Sequence, residues 1–328
     1  MRDLWRNAGA YIALIVVTLI FAVLTPEFRQ PSNLLNVLDQ SVRIGVVAVG
    51  MTAIIITGGI DLSVGSIAAL APFLAASYMA SHGGPHSNPM ALALLGLLIT
   101  AGVGAACGAV NGLSITRAFL PPFIATLGMM SIVRGLAYIL SKGTGINEGI
   151  PPAYTTTGQS LVSVQTGTST ANLTWAVLLM AAVFIIGHLI LTRTRVGRAI
   201  YAIGGNEQAA RLSGLSVDRI KFGVYVIGGV LAALAGLVET SSVGVAAPQA
   251  GSDLELDAIA AVVIGGTSLS GGRGNLAGTF AGVLLMRLIR NGLNLVNVDS
   301  NWQRVAIGAI IMTAVGFDEI QKRRTRKT

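Results

Sequence analysis

Charge is what this sequence most lacks. Only 11% of its 328 residues are Asp, Glu, Lys or Arg, whereas 53% are hydrophobic, and the mean hydropathy is +0.72. A soluble globular domain carries about 25% charged residues, so this composition excludes one. It indicates a protein that crosses a membrane many times, and the 41 glycines are typical of helices that pack closely in lipid.

Chemically active residue sets are scarce as well. The single cysteine, Cys107, excludes an intrachain disulfide. The sequence has no Ser-His-Asp pattern, no HExxH, no paired catalytic carboxylates and no phosphate-binding loop, so we predict no catalytic, cofactor or metal site. The string LSGGR at 269–273 matches a signature of ABC ATPases, but that signature works only beside the missing loop. We interpret the match as a coincidence.

The basic residues are unevenly distributed. Ten apolar segments alternate with polar ones. If each apolar segment crosses the membrane, the polar segments lie on alternate sides, and fifteen of the 22 Lys and Arg are on one side. They are Arg2, Arg6, Arg117, Arg273, the six in 193–221 and five in the tail 322–327. This bias identifies the cytoplasmic side, so the net charge of +8 indicates membrane topology rather than nucleic-acid binding.

The predicted topology is a single all-α membrane domain over 1–328 with about ten spans and both termini cytoplasmic. A span needs about 20 apolar residues. The longest polar segment, 142–171, falls outside, and the segment 193–221 falls inside. The predicted spans are 8–25, 42–57, 63–81, 90–112, 122–141, 172–192, 222–241, 256–268, 275–295 and 302–318.

One internal repeat indicates two related halves. The segment AIIITGGIDLSVG at 53–65 is similar to AAVVIGGTSLSGG at 260–272, and NGL occurs at 111–113 and again at 291–293. Paired halves with broken helices are typical of transporters. The predicted topology places both Gly-Gly motifs on one side, which implies parallel repeats unless the motifs are breaks within the membrane.

Five polar residues in the apolar segments are candidates for a translocation path or gate. Asp61 is either such a group or, with Ser63, a cap for the next helix, and we favour the cap. Asn111 and Asn291 could bind a polar substrate or a neighbouring helix, and we favour helix packing. Arg134 completes the set, because a charge at membrane depth pairs or lines a path.

Three more ionisable residues lie in or near the ends of predicted spans. Arg287 and Arg290 either form ion pairs or extend to the membrane interface. Glu239 either pairs or lies at a water-exposed helix end. No span carries two acidic residues, so the sequence does not support a proton relay.

The segment 193–221 is a polar, basic stretch between two spans. Its core, AIYAIGGNEQAARLSG, predicts a short helix, a Gly-Gly turn, a second short helix and a glycine stop. An ordered cytoplasmic loop implies a cytoplasmic partner. The segment therefore indicates a membrane subunit driven by a soluble protein.

These stretches together resemble a known family. TGGIDLSVG, PPFIATLGMMSIVRGLA, GRAIYAIGGNEQAARLSGLSVDRIK and LDAIAAVVIGGTSLSGGRGNLAGT occur in the order found in permease subunits of bacterial ABC importers of the ribose and simple-sugar type. The resemblance extends from about Pro26 to Asp318. It implies the large ten-helix importer fold in the inner membrane.

The resemblance also implies partners. A homodimer would enclose one path, a cytoplasmic ATPase would bind the ATP, and a periplasmic sugar-binding protein would dock outside. Residues 193–221 correspond to the family's coupling loop. Its implied contact and turn positions are Gly205, Asn206, Glu207, Ala209, Ala210, Arg211 and Gly214.

The alternative is a self-sufficient secondary transporter driven by an ion gradient. It requires intramembrane carboxylates that bind the coupling ion, and Asp61 is the only good candidate. The substrate stays open among a pentose, a hexose, a sugar-like signal and a polyol, because much selectivity in these importers lies in the binding protein.

Overall fold

A computed structural model describes residues 2–83, 87–166 and 169–325, which contain twelve α-helices and one small sheet. The helices are α1 (Arg2–Leu24), α2 (Pro31–Ile56), α3 (Val64–His82), α4 (Pro89–Thr116), α5 (Pro122–Ser141), α6 (Trp175–Arg193), α7 (Arg195–Gly205), α8 (Glu207–Leu212), α9 (Val217–Val243), α10 (Leu254–Ile264), α11 (Leu276–Leu295) and α12 (Ser300–Thr325). Two short 3-10 helices cover Pro26–Arg29 and Thr156–Gly158.

The helices confirm a mostly helical membrane protein. Every predicted span overlaps one of them, and α2 to α6, α9 and α11 are long and apolar enough to cross a membrane. The helix α10 has 11 residues. At 1.5 Å per residue it covers only about half of a hydrocarbon core of about 30 Å. The prediction of ten full crossings therefore stays a prediction.

The all-α prediction needs one correction, in segment 142–171. Strands β1 (Ser160–Thr166) and β2 (Ser169–Thr174) form an antiparallel hairpin in which Val162 pairs with Leu173. The sequence SLVSVQT alternates apolar and polar residues, as strands do. Because β2 extends to Thr174, α6 begins at Trp175, later than the predicted start at 172.

The core is built around α9, which packs against α2, α3 and α4. Small residues permit this contact. A Cβ atom on Gly108 of α4 would overlap the backbone of Tyr225, and one on Gly229 of α9 would overlap the backbone of Gly104. Close backbone approach at glycines is the usual way in which helices associate in lipid.

The polar segment after α5 is anchored to the helices beneath it. Tyr154 is 1% exposed, and its hydroxyl lies 2.7 Å from the hydroxyl of Thr100 on α4. Burial raises the pKa of Tyr154 to about 12. Ile146 forms an antiparallel bridge with Ala246, so this segment also contacts the chain that follows α9.

Candidate functional site

The two halves of the sequence repeat meet at the coupling loop. The backbone N–H of Gly272, in the second repeat, donates to the carbonyl oxygen of Ile56, in the first, over 2.8 Å. The hydroxyl of Tyr201 on α7 donates to the carbonyl of Gly274 over 2.8 Å. The segments after α2 and after α10 therefore lie on one side of the molecule, against α7.

Gly204 makes this meeting possible, although the sequence did not single it out. A Cβ atom on Gly204 would overlap the Ile56 carbonyl oxygen and the Gly272 nitrogen. A Cβ atom on the adjacent Gly205 would have no atom within 4 Å. Of the two glycines, only Gly204 is required by packing. A single sequence shows two equivalent glycines, and only the fold distinguishes them.

The predicted helix–turn–helix of the coupling loop is present, but the turn is one residue later than expected. Gly204 and Gly205 form the end of α7, and the break falls at Asn206, with φ −160° and ψ 103°. The Asn206 side chain accepts from the N–H of Ala209 over 2.9 Å and so caps α8. Gly214, with φ +83°, confirms the predicted stop, since glycine adopts this conformation without strain.

Two apolar residues, Ala209 and Leu212, are exposed on α8 beside its polar side chains. Ala209 is exposed, whereas Ala210 is only 5% exposed and packs with Ile203 and Val217. The two adjacent alanines thus face opposite ways, and of the two only Ala209 is available to a partner. Leu212, at the end of α8, is 84% exposed and was not predicted. Nothing in the sequence around Leu212, one turn after Glu207 and Gln208, indicated that its side chain is exposed. A leucine in a short helix is usually buried.

Four charged residues of the coupling loop, Glu207, Arg211, Asp218 and Lys221, bind one another. Arg211 donates to both carboxylate oxygens of Asp218, over 3.1 and 2.8 Å, and lies 3.5 Å from Glu207. Lys221 donates to Glu207 over 2.6 Å. The hydrogen bonds to Asp218 raise the pKa of Arg211 above its ordinary value. Glu207 and Arg211, two of the implied contact positions, therefore both have intrachain partners.

Three of the path candidates come together. The Asp61 carboxylate accepts from the backbone N–H and the hydroxyl of Ser63, over 2.8 and 2.6 Å. The Asn111 amide donates to the Ser63 hydroxyl over 2.8 Å and lies 3.5 Å from both Asp61 oxygens. All three residues are at most 1% exposed, and the Asn111 side-chain oxygen has no hydrogen-bond partner among the described residues.

This geometry corrects the capping prediction. Ser63 is the N-cap of α3 by position, but its side chain makes no capping hydrogen bond. Asp61 instead binds Ser63 itself and ties the segment between α2 and α3 to α4 through Asn111. A buried carboxylate needs hydrogen-bond donors, and Ser63 and Asn111 provide them.

The other two path candidates lie elsewhere. Arg134 on α5 donates to the carbonyls of Pro248 and Ala250, each over 2.8 Å. Asn291 on α11 and Asn33 on α2 donate to each other, over 2.8 and 2.9 Å. The packing role favoured for Asn291 is therefore confirmed, and Arg134 holds the segment between α9 and α10.

Of the three other ionisable candidates, Arg290 and Glu239 form ion pairs, and Arg287 forms none among the described residues. Arg290 lies 2.7 Å from Asp257, and Arg43 lies 3.1 Å from Glu239. Arg287 is 9% exposed and therefore does not extend to the interface. Pairing is the usual state of charges at membrane depth. Within the described residues, no group of three His, Cys, Asp or Glu could hold a metal ion.

Comparison with known proteins gives the family. The profile described as "Branched-chain amino acid transport system / permease component" matches residues 33–315. A ribose import permease protein of Escherichia coli K12 is 42% identical over 94% of this chain and 92% of its own, and one of Bacillus subtilis 168 is 42% identical over 95% and 92%. A galactose/methyl galactoside import permease protein of E. coli K12 is 35% identical over 98% and 96%. No solved structure matches the chain.

These matches cover nearly the whole chain, including both repeats and the coupling loop, and they confirm the resemblance to simple-sugar importer permeases. Such subunits are transport proteins rather than enzymes. The chain belongs to the family of branched-chain amino acid transport system permease components.

Proposed function

We propose that this chain forms the translocation path of an ATP-driven (ABC-type) importer for a simple sugar or sugar-like solute. The similar proteins are named as ribose and galactose import permeases, which supports this substrate class. A cytoplasmic ATPase supplies the energy, and a periplasmic binding protein delivers the solute. The observation that carries the proposal is the contact of α7 with the ends of both repeats.

The coupling loop has an inner and an outer face, as a transmission element requires. Its inner face touches the turns after α2 and after α10 through Gly204 and Tyr201. Its outer face presents Ala209 and Leu212 to solvent. A force on α8 therefore acts directly on the two segments where the membrane helices are interrupted. Rigid helices carry such a motion to gates on either side of the path.

Leu212 is the anchor that we assign to the ATPase contact. An isolated leucine that is 84% exposed at the tip of an ordered loop fits a groove on a partner surface. Asn206 and Ala209, in the same loop, are also exposed. Glu207 and Arg211, bound within the chain, keep α8 at a fixed angle to α9. Gly214 ends the element.

Leu212→Asp tests this assignment. We expect loss of ATPase co-purification and of ATP-dependent uptake, because a carboxylate cannot enter an apolar groove without losing its hydration. Val162→Asp, at another exposed apolar residue in the hairpin after α5, is the matched control and should retain both. Normal ATPase binding by the Leu212 variant would refute the anchor role.

We assign the buried Asp61, Ser63 and Asn111 to the gate on the cytoplasmic side. They hold the first repeat's turn against α4 and lie next to the segment that α7 contacts. Arg134, which holds the segment between α9 and α10, is assigned to the opposite gate. Asn291 fixes α11 to α2 and is assigned to the static frame.

The two classes of function differ in their energy source, so uptake distinguishes them. Vesicles containing this chain, the ATPase and the binding protein should take up one of a panel of ribose, galactose and xylose only when ATP is supplied. Vesicles containing this chain alone should take up none of them under a proton or sodium gradient. Gradient-driven uptake by the chain alone would establish the secondary transporter instead.

We further propose ten crossings in two related halves, cytoplasmic termini and a homodimer. The buried Cys107 is the sole cysteine, so an introduced thiol is the only accessible one. An impermeant thiol reagent applied from outside intact cells should label Val162→Cys and leave Leu212→Cys unlabelled. Labelling of Leu212→Cys from outside would refute the orientation, and a monomeric mass in mild detergent would refute the dimer.

A further inference from the structure

A cavity of about 300 Å³ lies between α2, α6, α7 and α9, away from the Asp61 cluster. Apart from Arg219, every lining residue is apolar or glycine. Val49 and Leu231 line its floor from the buried core, and Gly223 borders open space, since a Cβ atom there would have no atom within 4 Å. An apolar cavity of this kind stays dry. Its occupant is therefore apolar.

The cavity opens on the outer face of the helices. Ile190, Val196 and Ile227 line it and are 37%, 52% and 56% exposed. Ile190 lies in the last turn of α6, Val196 in the first turn of α7 and Ile227 in the first half of α9, next to the basic coupling loop. In the proposed orientation this is the level of the cytoplasmic leaflet. The molecules that cover apolar residues at this level are phospholipids.

The coupling loop, from which Arg219 lines the cavity, carries uncompensated positive charge. The coupling loop contains six basic residues and two acidic ones. Glu207 binds Arg211 and Lys221, and Asp218 binds Arg211. Four arginines are left without an acidic partner among the described residues. They are Arg193, Arg195, Arg198 and Arg219. Arg219 is exposed and also lines the cavity, so one residue joins the charged rim to the apolar interior.

We propose that this cavity binds an anionic phospholipid of the cytoplasmic leaflet. One acyl chain enters the space beside Gly223 and Ile227, and Arg219 binds the phosphate. Arginine suits this role because its planar guanidinium forms two parallel hydrogen bonds with phosphate oxygens. Basic pockets between helices on the cytoplasmic side bind acidic lipid headgroups. The site involves neither the ATPase nor the transported solute.

Thermal unfolding of the full chain in detergent tests the site. Two lipids with identical acyl chains are added, dioleoyl phosphatidylglycerol and dioleoyl phosphatidylcholine. We expect phosphatidylglycerol to raise the unfolding midpoint at a concentration at least about tenfold lower than phosphatidylcholine does. One strong contact, here between Arg219 and the anionic lipid, changes the affinity by about that factor. Arg219→Gln should remove that preference. Lys142→Gln, which removes an exposed positive charge at the far end of α5, should keep it.

The second test of the lipid site fills the cavity with a larger side chain. Gly223→Leu should abolish the effect of both lipids, whereas Gly102→Leu, at a glycine on α4 that also borders open space, should not. Ile227→Trp gives a readout that does not depend on folding of the Gly223 variant. Its fluorescence should be quenched by brominated phosphatidylglycerol in preference to brominated phosphatidylcholine. Equal effects of the two lipids on the wild-type chain, or unchanged lipid binding by Gly223→Leu, would overturn the proposal.

Discussion

The two repeats place similar turns side by side. The first turn (residues 57–63) follows α2, and the second turn (residues 265–275) follows α10. Two residues after the end of each preceding helix is a glycine with positive φ, Gly58 at +80° and Gly266 at +89°. Each turn then has a side-chain oxygen that accepts from an N–H two residues on, at Asp61 over 2.8 Å and at Ser268 over 3.4 Å.

The difference between the turns is in what holds them. The first turn is anchored by a side chain, because buried Asp61 is joined through Ser63 to Asn111 on α4. The second turn has the neutral Ser268 in place of Asp61 and is longer, with α11 beginning only at Leu276. Gly271 and Gly272 let its backbone lie against Gly204 and Gly205. The turn of the first repeat is therefore an anchor to the membrane helices, and the turn of the second repeat is a contact for the coupling loop.

Gly204→Ala should have the largest effect, because it separates both turns from α7. The new methyl group would overlap the backbone of Ile56 and of Gly272, which cannot rotate away as a side chain does. Overpacking of this kind costs about 1–3 kcal/mol, and here it also displaces the coupling loop. We expect a lower unfolding midpoint in detergent and loss of ATP-dependent uptake.

Gly205→Ala is the matched control for this prediction. It adds the same methyl group one residue along, where no atom lies within 4 Å. Its midpoint and its uptake should equal those of the wild type. Equal behaviour of the two alanine variants would show that close packing at Gly204 has no role in coupling.

Asp61→Ala should be next in size and sharpens the contrast between anchor and contact. It leaves the Ser63 N–H and hydroxyl without their buried acceptor, whereas the Asn111 amide keeps the Ser63 hydroxyl. An unsatisfied buried donor costs about 1–3 kcal/mol. Ser268→Ala, in the second turn, removes one bond of 3.4 Å and should cost less than about 1 kcal/mol. Thermal unfolding compares the two, and an equal loss would contradict the distinction between the turns.

Asn275→Ala should have a smaller effect than Gly204→Ala and Asp61→Ala. Asn275 is the last residue of the second turn and caps α11 by accepting from the N–H of Gly278 over 2.8 Å. Loss of such a cap costs about 1 kcal/mol, while Asn275→Asp keeps an acceptor and should be nearly neutral. The measurement is the unfolding midpoint of both variants. A larger loss in the aspartate variant than in the alanine variant would contradict a capping role.

Local patterns in the sequence predicted much of this molecule. Each apolar segment predicted as a span overlaps a helix of the structure. The glycine stop at Gly214 was also predicted, because backbone sterics favour glycine at a positive φ. The β-hairpin was missed because segment 142–171 was interpreted only as a polar loop, although SLVSVQT alternates. Asp61 was predicted as a cap because capping is a local interaction, whereas its partner Asn111 is fifty residues away in the chain.

Composition and the pattern of apolar segments by themselves determined that this protein is a helical membrane protein with an ordered basic loop, because transfer into lipid depends on each residue and its near neighbours. Only the tertiary structure decided that Gly204 is constrained and Gly205 is free, that Ala210 faces inward while Leu212 faces solvent, and that the two repeats meet at α7. The physical reason is steric. Such distinctions depend on backbone atoms brought together from distant parts of the chain, and no local pattern encodes that distance.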